Sequence, residues 1–142
     1  MSSEPNGDTV FDTSALIELL DLTPKGNSLR RALISNRLTG YLSEISLSET
    51  IYILCRKFGY ENAISRVRSL IDSGYFVVER TSEIVELAGR YKCERALSIA
   101  DCYSLAAGKH LGLPVLFARR EVELEKEIKR KAFDVRILFL ED

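Results

Sequence analysis

Three carboxylates stand where the surrounding sequence is apolar. Asp12 closes the run Thr9-Val-Phe-Asp, Glu49 lies inside Ser46-Leu-Ser-Glu-Thr-Ile-Tyr-Ile-Leu, and Asp101 lies inside Ser98-Ile-Ala-Asp-Cys-Tyr-Ser-Leu-Ala-Ala. An ionised carboxylate left alone in such a setting costs several kcal/mol or is forced neutral, so each needs a partner. Helix capping is one answer. Ser46-x-x-Glu49 and Ser98-x-x-Asp101 fit the capping-box spacing, and Asp12 can cap a helix beginning near Thr13. A cap contributes only about 1 kcal/mol, so it accounts for each acid singly without requiring one.

Other chemistries have little to build on. The single histidine, His110, falls near the end of a helical stretch, where the helix dipole favours a cation. Cys55, Cys93 and Cys102 lack zinc-site spacing and are odd in number, which points to free thiols in a reducing compartment. No phosphate-cradling glycine loop and no Gly-x-Ser-x-Gly elbow is present. Twenty basic residues against twenty-one acidic ones give a net charge of −1, so nucleic-acid binding would have to rest on local patches.

Length and patterning define the scaffold. The 142 residues, 46% hydrophobic and 29% charged, suffice for one soluble domain with a true core. Residues 1–8 are expected to be a flexible N-terminus and residues 9–142 the folded domain. The polar start carries no secretory leader, and no apolar run approaches the roughly 20 residues of a membrane span, so a cytoplasmic protein with no membrane contact is expected. Short apolar strands are predicted at 9–12, around 40–42, and at 75–80, 113–117 and 135–140. Helices are predicted at 14–21, 25–36, 46–57, 60–73, 82–92 and 98–111, with a charged, solvated helix within 121–131. The alternation predicts a single-domain, three-layer α/β fold with a mostly parallel sheet flanked by helices.

That scaffold gathers the acids. Right-handed crossovers place the strands' carboxyl ends along one edge, and ligands bind there near a reversal of strand order. Asp12 ends the first strand, Glu49 opens the helix after the second, and Asp101 opens the helix whose amino end returns to that edge before strand 113–117. Neighbouring like charges are tolerable with a divalent cation between them, and all-oxygen ligands select Mg²⁺ or Mn²⁺. Such a site suits in-line attack of water on a phosphodiester without a histidine base.

The segments Val10-Phe-Asp-Thr-Ser-Ala-Leu16, Leu47-Ser-Glu-Thr-Ile51, Leu97-Ser-Ile-Ala-Asp-Cys-Tyr-Ser-Leu-Ala-Ala107 and Leu111-Gly-Leu-Pro-Val-Leu-Phe117 resemble, in this order, the PIN domain family and within it the small VapC-type toxins. The resemblance implies a five-stranded parallel sheet and Mg²⁺- or Mn²⁺-dependent endoribonuclease activity. Asp12, Glu49 and Asp101 match the family's metal-binding, catalytic acids, and Ser14 matches a hydroxyl that steadies the metal shell. A small VapB-like antitoxin partner is also implied. The apolar stripe with Ile17 and Leu20 is a candidate homodimer face. RNA maturation or turnover, and a catalytically silent binding module, are the rival roles.

One position departs from the family pattern. In Phe117-Ala-Arg-Arg-Glu-Val122, Arg119 stands where many members carry aspartate. Glu121 is either the missing catalytic carboxylate or a first-turn helix acid. Arg119 either clamps an RNA phosphate or pairs with an acid in the metal's place. Arg120 is a second candidate for phosphate binding, and Arg30, Arg31, Arg37, Arg56 and Lys57 are candidates for an RNA approach.

Overall fold

The computed structural model describes residues 6–142. Its elements follow as β1 (Gly7–Phe11), α1 (Thr13–Leu20), α2 (Pro24–Ile34), β2 (Leu38–Ser43), α3 (Glu44–Phe58), α4 (Tyr60–Asp72), β3 (Phe76–Glu79), α5 (Thr81–Glu94), α6 (Ile99–Leu111), β4 (Val115–Phe117), α7 (Val122–Arg130) and β5 (Ile137–Phe139). The five strands form one all-parallel sheet in the order β3-β2-β1-β4-β5. This is the expected α/β architecture. Of the N-terminal stretch expected to be flexible, residues 1–5 lie outside the described residues, while β1 starts at Gly7 and pairs Gly7 with Leu38.

The apolar runs of β1 and β4 are explained by burial on both faces. Val10, Val115 and Phe117 point into the core beneath α5, α6 and α7, while Phe11 and Leu116 point into the core beneath α1 and α2. A smaller cluster of Leu54, Ala63 and Val67 joins α3 to α4. Ile17 and Leu20, read as a candidate dimer stripe, pack against this cluster.

Close helix–sheet contact requires small residues. A β-carbon on Gly108 of α6 would collide with the Val115 side chain and approach Leu113 O and Val135, so glycine lets α6 lie directly on β4. A β-carbon on Gly26 would collide with the Glu18 carbonyl, which fixes α2 against α1. At the other side of the molecule the buried Arg95 donates to Lys131 O (2.6 Å), Ala132 O (3.0 Å) and Glu127 O (3.2 Å), capping the end of α7. Its guanidinium also lies 3.7 Å from the Phe133 ring centroid.

The start of α3 differs from the sequence reading. α3 begins at Glu44 rather than Ser46, because Ser43 is the residue whose side chain accepts the orphan Ser46 N–H at 3.1 Å. Glu44 is thereby free to act elsewhere. Its Oε1 accepts from Thr81 N (2.7 Å) and Thr81 Oγ1 (2.9 Å), capping α5, whose own N-cap residue makes no side-chain cap.

Gly108→Ala should cost about 1–3 kcal/mol by forcing α6 off β4, read as a lower denaturation midpoint in urea with unchanged slope.

Candidate functional site

β1 is the centre of the sheet, and the chain reverses its direction of travel there: β2 and β3 extend one way, β4 and β5 the other. The crevice between the carboxyl ends of β1 and β4 is the switch point at which open α/β sheets bind ligands. Asp12 follows β1 directly, anchored by its own N–H to Leu116 O at 2.9 Å. The residue is 4% exposed, and its carboxylate is held by three donors: Ser14 N (3.0 Å) and Ser14 Oγ (2.8 Å) on Oδ2, and Ser104 Oγ (2.8 Å) on Oδ1. Asp12 therefore is the expected cap of α1 and also faces the crevice. Burial raises its pKa, and the serine hydrogen bonds oppose that rise.

Asp101 lies in the first turn of α6, where its N–H donates to Ser98 Oγ at 3.1 Å as its capping motif requires. Burial, then the charges of Asp12 and Glu49 and, more weakly, Glu121, push its pKa up to about 7. Acids from four distant stretches of chain thus feel one another. Glu49 is in the second turn of α3 rather than at its start, which corrects the capping-box reading of Ser46. Ser46, Thr50 and Leu54 form the buried stripe of that helix, and Glu49 stands half-buried beside them.

The acids line a single cavity of about 360 Å³. Asp12, Glu49, Asp101 and Glu121 share its wall with Thr13, Ser14, Glu18 and Arg119. Glu121 occupies the N-cap position of α7 but makes no side-chain cap, so its carboxylate is not consumed by the helix. Arg119 lines the cavity and makes no ion pair among the described residues. Arg120 does not line the cavity: it turns to Asp142 at 2.7 Å and lies over the Phe139 ring at 4.2 Å, because β5 passes beside its backbone. His110 sits near Glu79 (3.8 Å), in the last turn of α6, away from the cavity.

The oxygens of Asp12, Glu49, Asp101 and Glu121 are the groups here able to share a hard cation. No three His, Cys, Asp or Glu side chains among the described residues already stand at mutual ligand spacing.

The sequence reading missed the buried hydroxyls behind the acids. Ser43 Oγ donates to Ser46 Oγ (3.2 Å), which lies 3.4 Å from Ser104 Oγ, which donates to Asp12. Ser14 Oγ also accepts from Ala118 N at 2.9 Å, tying Asp12 to the end of β4. The signal available was the placement of Ser104 three residues after Asp101, on the same face of one helix.

The sequence profile of the PIN domain matches residues 9–133, and the chain belongs to the PIN domain family. Its fold is shared by solved toxin–antitoxin proteins. VapBC2 of Rickettsia felis, crystallised on a fragment of promoter DNA, is 14% identical and has a TM-score of 0.67 over 94% of this chain and 98% of that one. DNA-bound VapBC of Salmonella typhimurium is 17% identical, with a TM-score of 0.68 over the same shares. VapC20 of Mycobacterium tuberculosis, described as a sarcin–ricin-loop-cleaving toxin, is 21% identical, with a TM-score of 0.64 over 83% of this chain and 93% of that one. No curated protein matches the sequence. No helix among the described residues is long and apolar enough to cross a membrane.

Two outcomes test this geometry. Asp101 holds its proton more tightly folded than unfolded, so its contribution to metal-free stability declines as pH rises from 3.8 through about 7. Asp101→Asn should therefore melt above wild type in chelator by a margin that is modest at pH 5 and grows to its full size by pH 8, at about 2–4 °C per kcal/mol. Ser104→Ala, which removes a donor from a buried carboxylate, should cost about 1.5–3 kcal/mol. Differential scanning calorimetry and chemical denaturation read these two effects.

Proposed function

We propose that this PIN-domain protein is a Mg²⁺- or Mn²⁺-dependent endoribonuclease of VapC type, the toxin of a toxin–antitoxin pair. The observation that carries this reading is the convergence of Asp12, Glu49, Asp101 and Glu121 on one cavity at the sheet's switch point. A hard divalent cation, held by Asp12, Glu49 and Asp101, would supply an acidified water and neutralise the scissile phosphate. The fit is chemical: an all-oxygen donor set and a carboxyl whose pKa is raised by burial and by its neighbours' charge.

The chain's own residues have separable roles. Ser14 and Ser104 hold the Asp12 carboxylate in one orientation, so little reorganisation remains at the moment of reaction. Glu121, uncommitted to its helix, is the group available to take a proton from water at the outer wall. Arg119 is the cavity's cationic donor and suits bidentate contact with a phosphate.

A small antitoxin is the partner we assign, as in the VapBC complexes sharing the fold. An apolar groove of about 550 Å³, bordered by Leu19, Leu20, Leu22, Ile34, Leu70 and Tyr75, suits a hydrophobic segment of that partner, with Arg30 at its edge favouring acidic flanks.

Millimolar Mn²⁺ should raise the melting temperature of wild type and leave that of Asp101→Asn nearly unchanged. The variant should also cleave an RNA panel orders of magnitude more slowly. A wild type that neither shifts with metal nor cleaves would overturn the assignment. Ile34→Asp should abolish co-purification with the co-expressed product of a neighbouring reading frame while leaving RNA cleavage intact.

A further inference from the structure

The cavity poses an electrostatic problem for a polyanion. Six carboxylates line it (Asp12, Glu18, Glu49, Asp101, Glu121 and Glu123), against the single cation of Arg119. Even with a divalent ion bound, little attraction remains there for the phosphates flanking the scissile one. Affinity for RNA must come from surfaces beyond the rim.

Helix α3 provides one. Glu49 and Ile53 line the cavity. Tyr52 and Arg56 follow Glu49 at i+3 and i+7, so they continue its stripe outward, with Arg56 about 10 Å further along the helix axis. Tyr52 is 46% exposed although large and aromatic. The Arg56 guanidinium lies 5.0 Å from the centroid of its ring, and Lys57 follows in the same last turn. An exposed ring with a guanidinium over it, next to the cavity on one side and further positive charge on the other, offers the aromatic and guanidinium surfaces on which nucleobases stack. The base meets a π-face, and its phosphates meet Arg56 and Lys57. The core has no use for Tyr52, whose helix buries the face carrying Ser46, Thr50 and Leu54.

We propose that Tyr52 and Arg56 form a stacking platform that receives an unpaired nucleotide of the RNA next to the cleaved bond. The proposal rests on the nuclease reading above. An A-form duplex keeps its bases stacked on one another and offers no free face to Tyr52, whereas an unpaired nucleotide does.

The test uses full-length protein carrying Asp101→Asn, so that RNA is bound but not cut. Fluorescence anisotropy with a labelled single-stranded oligoribonucleotide, and with the same sequence as duplex, gives the two affinities. Tyr52→Ala should weaken single-strand binding roughly ten- to a hundred-fold with little change for duplex, and Tyr52→Phe should restore it. Arg56→Gln should weaken binding and lower the salt slope by about one phosphate contact. With the acids intact, Tyr52→Ala should leave the Mn²⁺-induced melting shift unchanged. Single-strand affinity unaffected by Tyr52→Ala would overturn the platform while leaving the nuclease standing. Equal loss on duplex and single strand would also overturn it. So would a variant whose sole defect is lost self-association in sedimentation, since the patch would then join two copies of the chain. A wild type that cleaves no RNA and shifts with no metal would instead remove the nuclease reading itself.

Discussion

Mutual repulsion among carboxylates is the constraint around which this molecule is organised. Asp12, Glu49, Asp101 and Glu121 come from distant parts of the chain, yet they share one cavity, and the Asp101 pKa, raised first by burial, is pushed further up by the charges of its neighbours. A fold selected only for stability would separate them. Here the switch point of the sheet brings them together, and the cost is offset locally: three hydrogen bonds sustain charge on Asp12, while helix amino-termini lie behind Asp12 and Asp101. Capping and an ionised side chain facing the cavity are therefore compatible, since the dipole that favours an acid at a helix start also helps keep it ionised.

The support behind these acids is neutral. A row of serine hydroxyls runs from Ser43 through Ser46 to Ser104 and ends on Asp12, all fully or nearly fully buried. Hydroxyls can each donate and accept, so the row satisfies itself without adding charge to a crowded place. A lysine or arginine in that position would hold Asp12 more firmly, but it would also compete with any cation for the same electrons.

Much of this was legible in the residue order. Alternation of short apolar strands with helices revealed the parallel sheet, and the buried-on-both-faces character of β1 and β4 made them conspicuous. Asp12 and Asp101 could be placed because each carries a local signal, a cap with its serine or its helix start. Glu49 was harder. Ser46-x-x-Glu49 mimics a capping box, but Ser43 lies three residues before Ser46 and makes the actual cap, so the true helix start was hidden by a repeated serine spacing. Arg119 and Arg120 are adjacent and chemically alike in sequence. Their separation depends on β5 passing beside Arg120 and supplying Asp142 and Phe139, a tertiary circumstance no local pattern encodes. The Ser104–Asp12 contact spans 92 positions and was invisible for the same reason.

The strand order has a consequence for synthesis. β1 is made first, yet one of its two neighbours, β4, is made after more than a hundred residues have emerged. A ribosome-bound chain that extends only through α5 holds Asp12 and Glu49, but Asp101, Ser104 and Glu121 do not yet exist. The edge of β1 that will receive β4 is still open, and Asp12 lacks the donor that fixes Oδ1. Whatever chemistry this cavity supports, a half-made chain cannot perform it while still attached to the machinery that is making it.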